Sequence, residues 1–436
     1  MTVLRHITFC LTLFCWSISP CFAEKLELEP AAEQMPSLVD AEELMVEHLD
    51  PIQVDPQLTL PQLLDQTLEA YPDRLINEAL SQEADALAER GDSWFAGSHV
   101  LALNYSDDVV GSNKGSREAT AELEFTVWNW GQRSAAQGVA EQAYVAADKQ
   151  SKVVKLEVAR LLREALWGIA LAENQLQLVR NHLEISERLL AKVRRRVELG
   201  DLPRADLLLA ESDHLQNQTI LTQAEAELMH TRKSYANLTR TTKIPANYQE
   251  QLSDIKFIRP NHPMLEAINA VIARRQAMTE WAKTTDTVNQ PKVVLGGRTS
   301  RDQRDSSDLQ SANIGVIIPF GHSTYDAPEI AAAYLELNQA LAQREHLQRQ
   351  LEKGLHEAEH ALEVNRKELE IARKMKELAE EHFKMMQISF ESGEINLLDL
   401  LKIQARSLEA IRNAKEQEVK LQRNIAFYNQ AVGVLP

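Results

Sequence analysis

Hydrophobic positions along this chain switch repeatedly between a helical and a strand-like period, and the switches come in the same order in each half. After Leu58-Thr59-Leu60-Pro61 the spacing is helical from about Pro72 to Phe95. It then becomes twofold: Leu101, Leu103 and Tyr105 alternate with Ala102 and Asn104, and Ala121, Leu123, Phe125 and Val127 alternate with Glu122, Glu124 and Thr126. Side chains two residues apart share one face of a strand, so both segments predict strands apolar on one face, at about 98–105 and 118–130. The stretch between them carries Asp107, Asp108, Gly111, Asn113 and Gly115, which are turn formers.

A long helix is predicted next, over 132–199. Leu162, Leu166, Ile169, Leu176, Leu183, Leu190, Val193 and Val197 keep sevenfold-compatible spacing, and no proline interrupts the run. At 1.5 Å per residue such a helix is about 100 Å long, and its sustained spacing asks for coiled-coil packing. Gly200 suits a left-handed cap at its end, with Asp201 available to cap a returning helix over 202–239.

The second half repeats the order. Val293, Leu295 and Thr299, then Ala312, Ile314, Val316, Ile318 and Phe320, predict strands at about 292–300 and 311–320 around a polar loop from Arg301 to Asp308. A helix follows over 326–390, with a seam of Leu351, Leu355, Ala358, Leu362, Leu369, Ala372, Ala379, Phe383, Met386 and Phe390 that Asn365 and Lys376 interrupt. Ser392-Gly393 ends it, and Asn396 stands ready to cap a return helix over 396–432. Tyr71-Pro72 returns as His262-Pro263, Trp130-Gly131 as Phe320-Gly321, Leu199-Gly200 as Ser392-Gly393 and Asp206 as Asp399, each roughly 190 residues on. The chain reads as an internal duplication, with repeats at 58–240 and 263–436 joined by a linker at 241–262.

Composition adds the compartment. Arg5, the apolar run from Ile7 to Trp16 and Cys21-Phe22-Ala23 predict an export signal over 1–23. Cleavage there removes Cys10, Cys15 and Cys21, the only cysteines; the alternative is a lipoprotein signal with Cys21 lipidated. An acidic, aperiodic segment over 24–57 is expected to be a flexible lead-in. Lys+Arg 47 against Asp+Glu 64 gives a net charge of −17, which argues against nucleic acid as a partner. Beyond the signal no apolar stretch reaches the ~20 residues of a membrane helix, whereas each predicted strand approaches the ~9–11 that cross a bilayer at a tilt. Four strands cannot close a barrel, and an open edge in lipid is prohibitive, so a membrane-spanning reading requires oligomerisation.

Candidate chemistry is sparse. His356-Glu357-Ala358-Glu359-His360 satisfies the zinc-protease pattern of two histidines one turn apart with a glutamate between. It lies within a long charged helix and no compact catalytic domain is recognisable, so the chain is read as no enzyme, without a cofactor. His356 and His360 stand only as candidates for incidental metal binding, with a zinc hydrolase as the rival reading. Asp206 and Asp399 fall in the first turn of a helix, where a carboxylate gains ~0.3–1 kcal/mol from the dipole whatever else it does. Trp128, Trp130 and Phe320 at the strand exits suit an aromatic girdle or packing at the helix root.

Taken together, Leu58-Thr59-Leu60 with Tyr71-Pro72, Trp130-Gly131-Gln132-Arg133, Ile318-Pro319-Phe320-Gly321, Val197-Glu198-Leu199-Gly200 and Phe390-Glu391-Ser392-Gly393 occur in an order that resembles the TolC-type outer membrane efflux protein family. The resemblance covers about Leu58 to Val434. It implies a mostly α fold with a small β part: a duplicated unit of helix, two strands and long helical hairpin. Three copies would form a 12-stranded outer-membrane β-barrel continued by a periplasmic α-helical barrel. It further implies a homotrimer in the outer membrane of a Gram-negative bacterium, in contact with lipid, a periplasmic adaptor and an inner-membrane pump. The function implied is a passive duct of a tripartite efflux or secretion system. By the same resemblance Leu199, Gly200, Asp201, Ser392, Gly393 and Glu394 form the adaptor-docking tips, and Asp399, with Asp206 in the equivalent place, lines the constriction. Lys402 departs from the pattern where some relatives place a second acid. The alternative from another class is an exported coiled-coil spacer, which leaves the amphipathic strands unexplained.

Overall fold

The computed structural model describes residues 52–285, 290–320 and 324–436. The export signal, all three cysteines, most of the acidic lead-in and Gly321 lie outside the described residues.

The element order within Pro51–Pro436 is β1 (Gln53–Asp55), α1 (Leu60–Glu69), α2 (Arg74–Asp92), β2 (Val100–Asp107), β3 (Arg117–Thr126), α3 (Gln132–Glu198), α4 (Arg204–Thr239), β4 (Lys243–Pro245), α5 (Pro263–Thr284), β5 (Lys292–Arg301), β6 (Leu309–Ile317), α6 (Ala327–Glu391) and α7 (Leu397–Ala431). Thr59 starts α1 with a capping box: Thr59 Oγ1 accepts from Gln62 N, and Gln62 Oε1 accepts from Thr59 N at 3.0 Å. That pairing satisfies two amide groups that a helix start leaves orphaned.

Two short strands depart from the expectations. β1 falls at the end of the segment expected to be flexible and pairs in parallel with β4, inside the expected linker, with Val54 opposite Ile244. The reason is apolar anchoring: Ile52 and Leu58 pack against a core of Leu63, Leu64, Leu162, Leu166, Tyr235 and Ile244. The strand expected to reach residue 130 ends at Thr126. From there Val127 N donates to Pro291 O (2.9 Å), Trp128 Nε1 to Ser93 O (3.0 Å) and Asn129 N to Gln132 Oε1 (2.9 Å), so the backbone leaves the ladder and turns into α3.

α3 and α6 run 67 and 65 residues, each about 100 Å at helical rise. α4 returns along α3 and α7 along α6, while α2, α5 and α7 also pack on α3. The predicted seams are where the helices meet: Leu162, Leu166, Ile169, Leu176, Leu190 and Val193 are buried on α3, and Leu355, Leu362, Leu369, Ala372 and Phe390 on α6. Asn365, the polar break in the second seam, is buried and donates to Gln417 Oε1 across to α7 at 2.5 Å. A single buried amide of this kind fixes the register of two helices. Among the described residues no helix is long and apolar enough to cross a membrane.

Candidate functional site

Strands β2, β3, β5 and β6 form one antiparallel sheet in that order. The register sorts side chains into alternating rows. Leu101, Leu123, Leu295 and Ile314 lie in one row across all four strands; Ala102, Glu122, Gly296 and Asn313 form the next. Adjacent rows point to opposite faces, so the sheet has an apolar face and a polar one. The apolar face is open: Leu103 is 68% exposed and Ile314 79%.

The polar face is internally paired. Glu118 meets Arg298 at 2.8 Å and Glu124 meets Lys292 at 2.9 Å. Asn313 Nδ2 donates to Glu122 Oε1 at 3.2 Å, spanning Gly296 on the strand between. A Cβ at Gly296 would fall 2.5 Å from Asn313 Oδ1, so the glycine is what permits that bond. Where the hairpin loops begin, Asp308 accepts from Arg117 and Arg301, at 3.0 and 2.9 Å. The two guanidiniums, Arg117 foremost, hold its carboxyl below the usual carboxylate range. The two loops clasp: Arg304 N donates to Lys114 O at 3.0 Å, and its side chain lies against Gly115, whose φ is +93°. Among the described residues β2 and β6 are the edge strands of this sheet. At the other end, Trp128 packs edge-on against Trp281 and Arg90 stacks on Trp281, which is packing at the helix root; Trp130 and Phe320 stand exposed.

At the opposite ends of the hairpins the two turns are built alike. Gly200 and Gly393 have φ of +79° and +80°. Gly200 N donates to Val197 O and Asp201 N to Arg196 O; Gly393 N donates to Phe390 O and Glu394 N to Ser389 O. This is the Schellman arrangement, which satisfies the last helical carbonyls only if one residue is left-handed. An L-residue there is strained by about 1–2 kcal/mol, although open space surrounds both glycines. Leu199, Gly200, Asp201, Ser392, Gly393 and Glu394 are all exposed.

The structure brings the two turns together through residues that the sequence reading missed. Arg196 donates to Asp201 at 2.6 Å and to Phe390 O at 3.0 Å, and its guanidinium lies over the Phe390 ring. Lys192 meets Glu391 at 2.6 Å. Beneath these pairs Val193, Ala210, Phe390, Leu397 and Leu400 form a buried cluster. Exposed ion pairs contribute little by themselves; the buried cluster is the larger contribution, and the arginine sets orientation. Asp201, expected to cap α4, is thus engaged with Arg196, and α4 starts at Arg204 with Pro203 at its N-cap and no side-chain cap. Asn396 does cap α7, its Oδ1 accepting from Asp399 N at 2.8 Å.

Asp399 is exposed in the first turn of α7 with Lys402 Nζ 3.5 Å away. The departure seen in the sequence is therefore an ion pair within the chain, one that partly offsets the aspartate's charge. Asp206 sits half-buried in the first turn of α4. His356 and His360 are exposed on α6, and Glu357 faces Lys353 at 3.6 Å. Among the described residues no group of three or more His, Cys, Asp or Glu side chains is placed to hold a metal ion.

A second unforeseen feature lies between tip and sheet. Arg163 on α3 is 1% exposed and makes a bidentate pair with Glu250, both contacts at 2.7 Å. It also donates to Gln430 and to Val434 O, and Asn429 Nδ2 donates to the same Glu250 carboxylate at 3.0 Å. One arginine thereby joins α3, the segment between the halves and the end of α7. The only sequence signal was a charge inside an apolar seam.

Residues 87–241 match the family model described as outer membrane efflux protein. The chain is 24% identical over 315 residues to the cobalt-zinc-cadmium resistance protein CzcC of Cupriavidus metallidurans, covering 69% of this chain and 74% of that one. Among solved structures it superposes on the outer membrane protein VceC of Vibrio cholerae with a TM-score of 0.69 at 15% identity, covering 86% of this chain and 96% of the other. On CusC, described in connection with transmembrane channel formation, the TM-score is 0.70 at 15% identity, covering 88% and 94%. The chain has the fold of TolC-type outer membrane channel proteins.

Proposed function

We propose that this chain is the outer-membrane component of a tripartite efflux or secretion system, a passive trimeric duct that reaches from the outer membrane into the periplasm. The observation that carries the reading is the four-stranded sheet: one face apolar and open, the other polar and ion-paired, both edges unpaired among the described residues. Exposed edges cannot persist in lipid. Three copies joined edge to edge give 12 strands, an even number within the known range for such barrels. The apolar face then meets lipid and the Glu118, Glu122, Glu124, Lys292 and Arg298 face lines water. The long hairpins continue the duct, with no reaction of their own, and the energy comes from an inner-membrane pump.

At the far end the Gly200 and Gly393 turns are the surface offered to a periplasmic adaptor. Their exposure supports this, as does the Arg196 and Lys192 clasp, which makes the two turns one unit. Asp206 and Asp399 line the constriction, and the Asp399–Lys402 pair lowers the negative charge that three copies would present to cations. A periplasmic spacer would need the coiled coils but not the amphipathic sheet.

Extraction of the full-length protein from outer membranes, followed by native mass and planar-bilayer conductance, tests the reading. A detergent-soluble trimer with pore activity is expected; a water-soluble monomer without conductance would overturn it.

A further inference from the structure

Away from the wall and the tips, the chemistry left without a role is on α6. His356 and His360 stand one helical turn apart with ring centroids 6.5 Å from each other and planes only 17° from parallel. Residues four apart on a helix share a face, with Cβ atoms ~5–6 Å apart, so the imidazoles project side by side. Both are exposed, and no hydrogen bond or ion pair among the described residues engages either ring. Glu357 is paired with Lys353 at 3.6 Å and Glu363 with Lys367 at 2.6 Å, and the Glu363 carboxylate also interacts electrostatically with His360. The backbone that presents the rings is anchored from behind, because Leu355 and Leu362 on the other side of the helix are buried in a cluster with Tyr428 and Val432 of the α7 end. The two imidazoles are thus presented side by side on an anchored helix face.

We propose that His356 and His360 form a two-point chelate for a divalent transition-metal ion, with water completing the coordination shell. Imidazole nitrogen suits copper, nickel and zinc. A metal–nitrogen distance of about 2.0–2.1 Å requires the two nitrogens to converge to roughly 3 Å. Rings already side by side reach that by rotation about their own side-chain bonds, which their exposure leaves free. With only two protein ligands the site is open and exchangeable, unlike a structural zinc site, which is closed by four. It is also unlike a hydrolase centre, which takes three ligands and needs Glu357 free as a base. Affinity should follow the divalent series, copper above nickel and nickel above cobalt, and should weaken on acidification because the ligands must be neutral. The chelate is a property of one chain and does not depend on the channel reading.

The test is titration of the full-length detergent-solubilised protein with Cu2+ alone in a non-coordinating buffer, read by calorimetry and by electron paramagnetic resonance. The expected result is one site per chain with nitrogen hyperfine structure from two imidazoles. Its affinity falls at least tenfold in His356→Gln and in His360→Gln, and stays unchanged in His346→Gln on the same helix. Glutamine keeps the helix, and circular dichroism checks it. Binding by the His356→Gln/His360→Gln double variant as strong as the native protein's would overturn the proposal. An equal loss in His346→Gln would do the same.

Discussion

The two hairpins end in the same turn and are nearly the same length, yet they differ in how far they are enclosed. Among the described residues α3 is packed by α1, α2, α4, α5 and α7, whereas α6 meets only α5 and α7 extensively. Along the lower part of α6, Ile371, Met375, Leu378, Met385 and Ile388 are exposed, and they follow coiled-coil spacing beside the seam of buried Leu369, Ala372 and Phe390 and half-buried Phe383. An apolar stripe at that spacing, uncovered among the described residues, is the surface that the proposed trimer would cover. The two long helices are scaffolds of nearly equal length. They differ in that α3 is enclosed by neighbouring helices while α6 leaves an apolar stripe open.

That contrast breaks most visibly at Leu378, which is 68% exposed. Leu378→Asp combined with Met385→Asp places two carboxylates in the stripe without touching the chain's own core. Native mass spectrometry in detergent should show loss of the trimer, while far-ultraviolet circular dichroism stays at the native value. A trimer that survives both changes would mean that α6 is no more a contact face than α3.

Arg163 sharpens the other side. In α3 a buried charge is tied bidentately to Glu250, while the equivalent role in α6 falls to the neutral Asn365–Gln417 pair. Removing one partner of a buried pair strands the other, at a cost of about 3–5 kcal/mol. Arg163→Ala should therefore lower stability by that amount in denaturant titration of the solubilised protein. Asn365→Ala, which leaves no charge behind, should cost well under half as much. Equal losses would remove the claim that α3 is the anchored helix.

What the sequence made legible follows from the range of each interaction. Strands β2, β3, β5 and β6 announced themselves because alternation over 8–10 residues is local. The seams and the Gly200 and Gly393 turns were visible for the same reason. β1 and β4 span three residues each, too few for a period to register. The Arg163 network was hidden because its partners lie 87 and 267 residues away along the chain. Asp201 offered two plausible partners within a few residues, the return helix and Arg196, and only the packing of the two turns decides for Arg196. Asp399 and Lys402, three apart at a helix start, could be read as a pair from spacing, but not whether three copies bring them to one axis.

The smallest difference between the hairpins is in their response to acid. His182 lies between α3 and α4, near Asp213, which itself accepts from Ser186 at 2.9 Å and Asn217 at 3.1 Å. Burial pushes the imidazole's pKa down, and the Asp213 charge opposes this only in part. The unfolded chain therefore takes up a proton more readily than the folded one, and the stability contributed by the neutral ring is complete above the ordinary histidine value of about 6.5. It declines as pH falls below that value toward the depressed folded pKa. The α6–α7 seam is bridged at its polar break by two amides that do not titrate. Hydrogen exchange, corrected for its intrinsic pH dependence, should thus show protection falling between pH 7 and pH 5.5 in α3–α4 near His182, with α6–α7 around Asn365 unchanged. His182→Gln should flatten the first response, since it removes the proton that the folded hairpin resists. A parallel loss in both hairpins would assign the acid response to groups shared by the two halves rather than to the His182 ring of α3–α4.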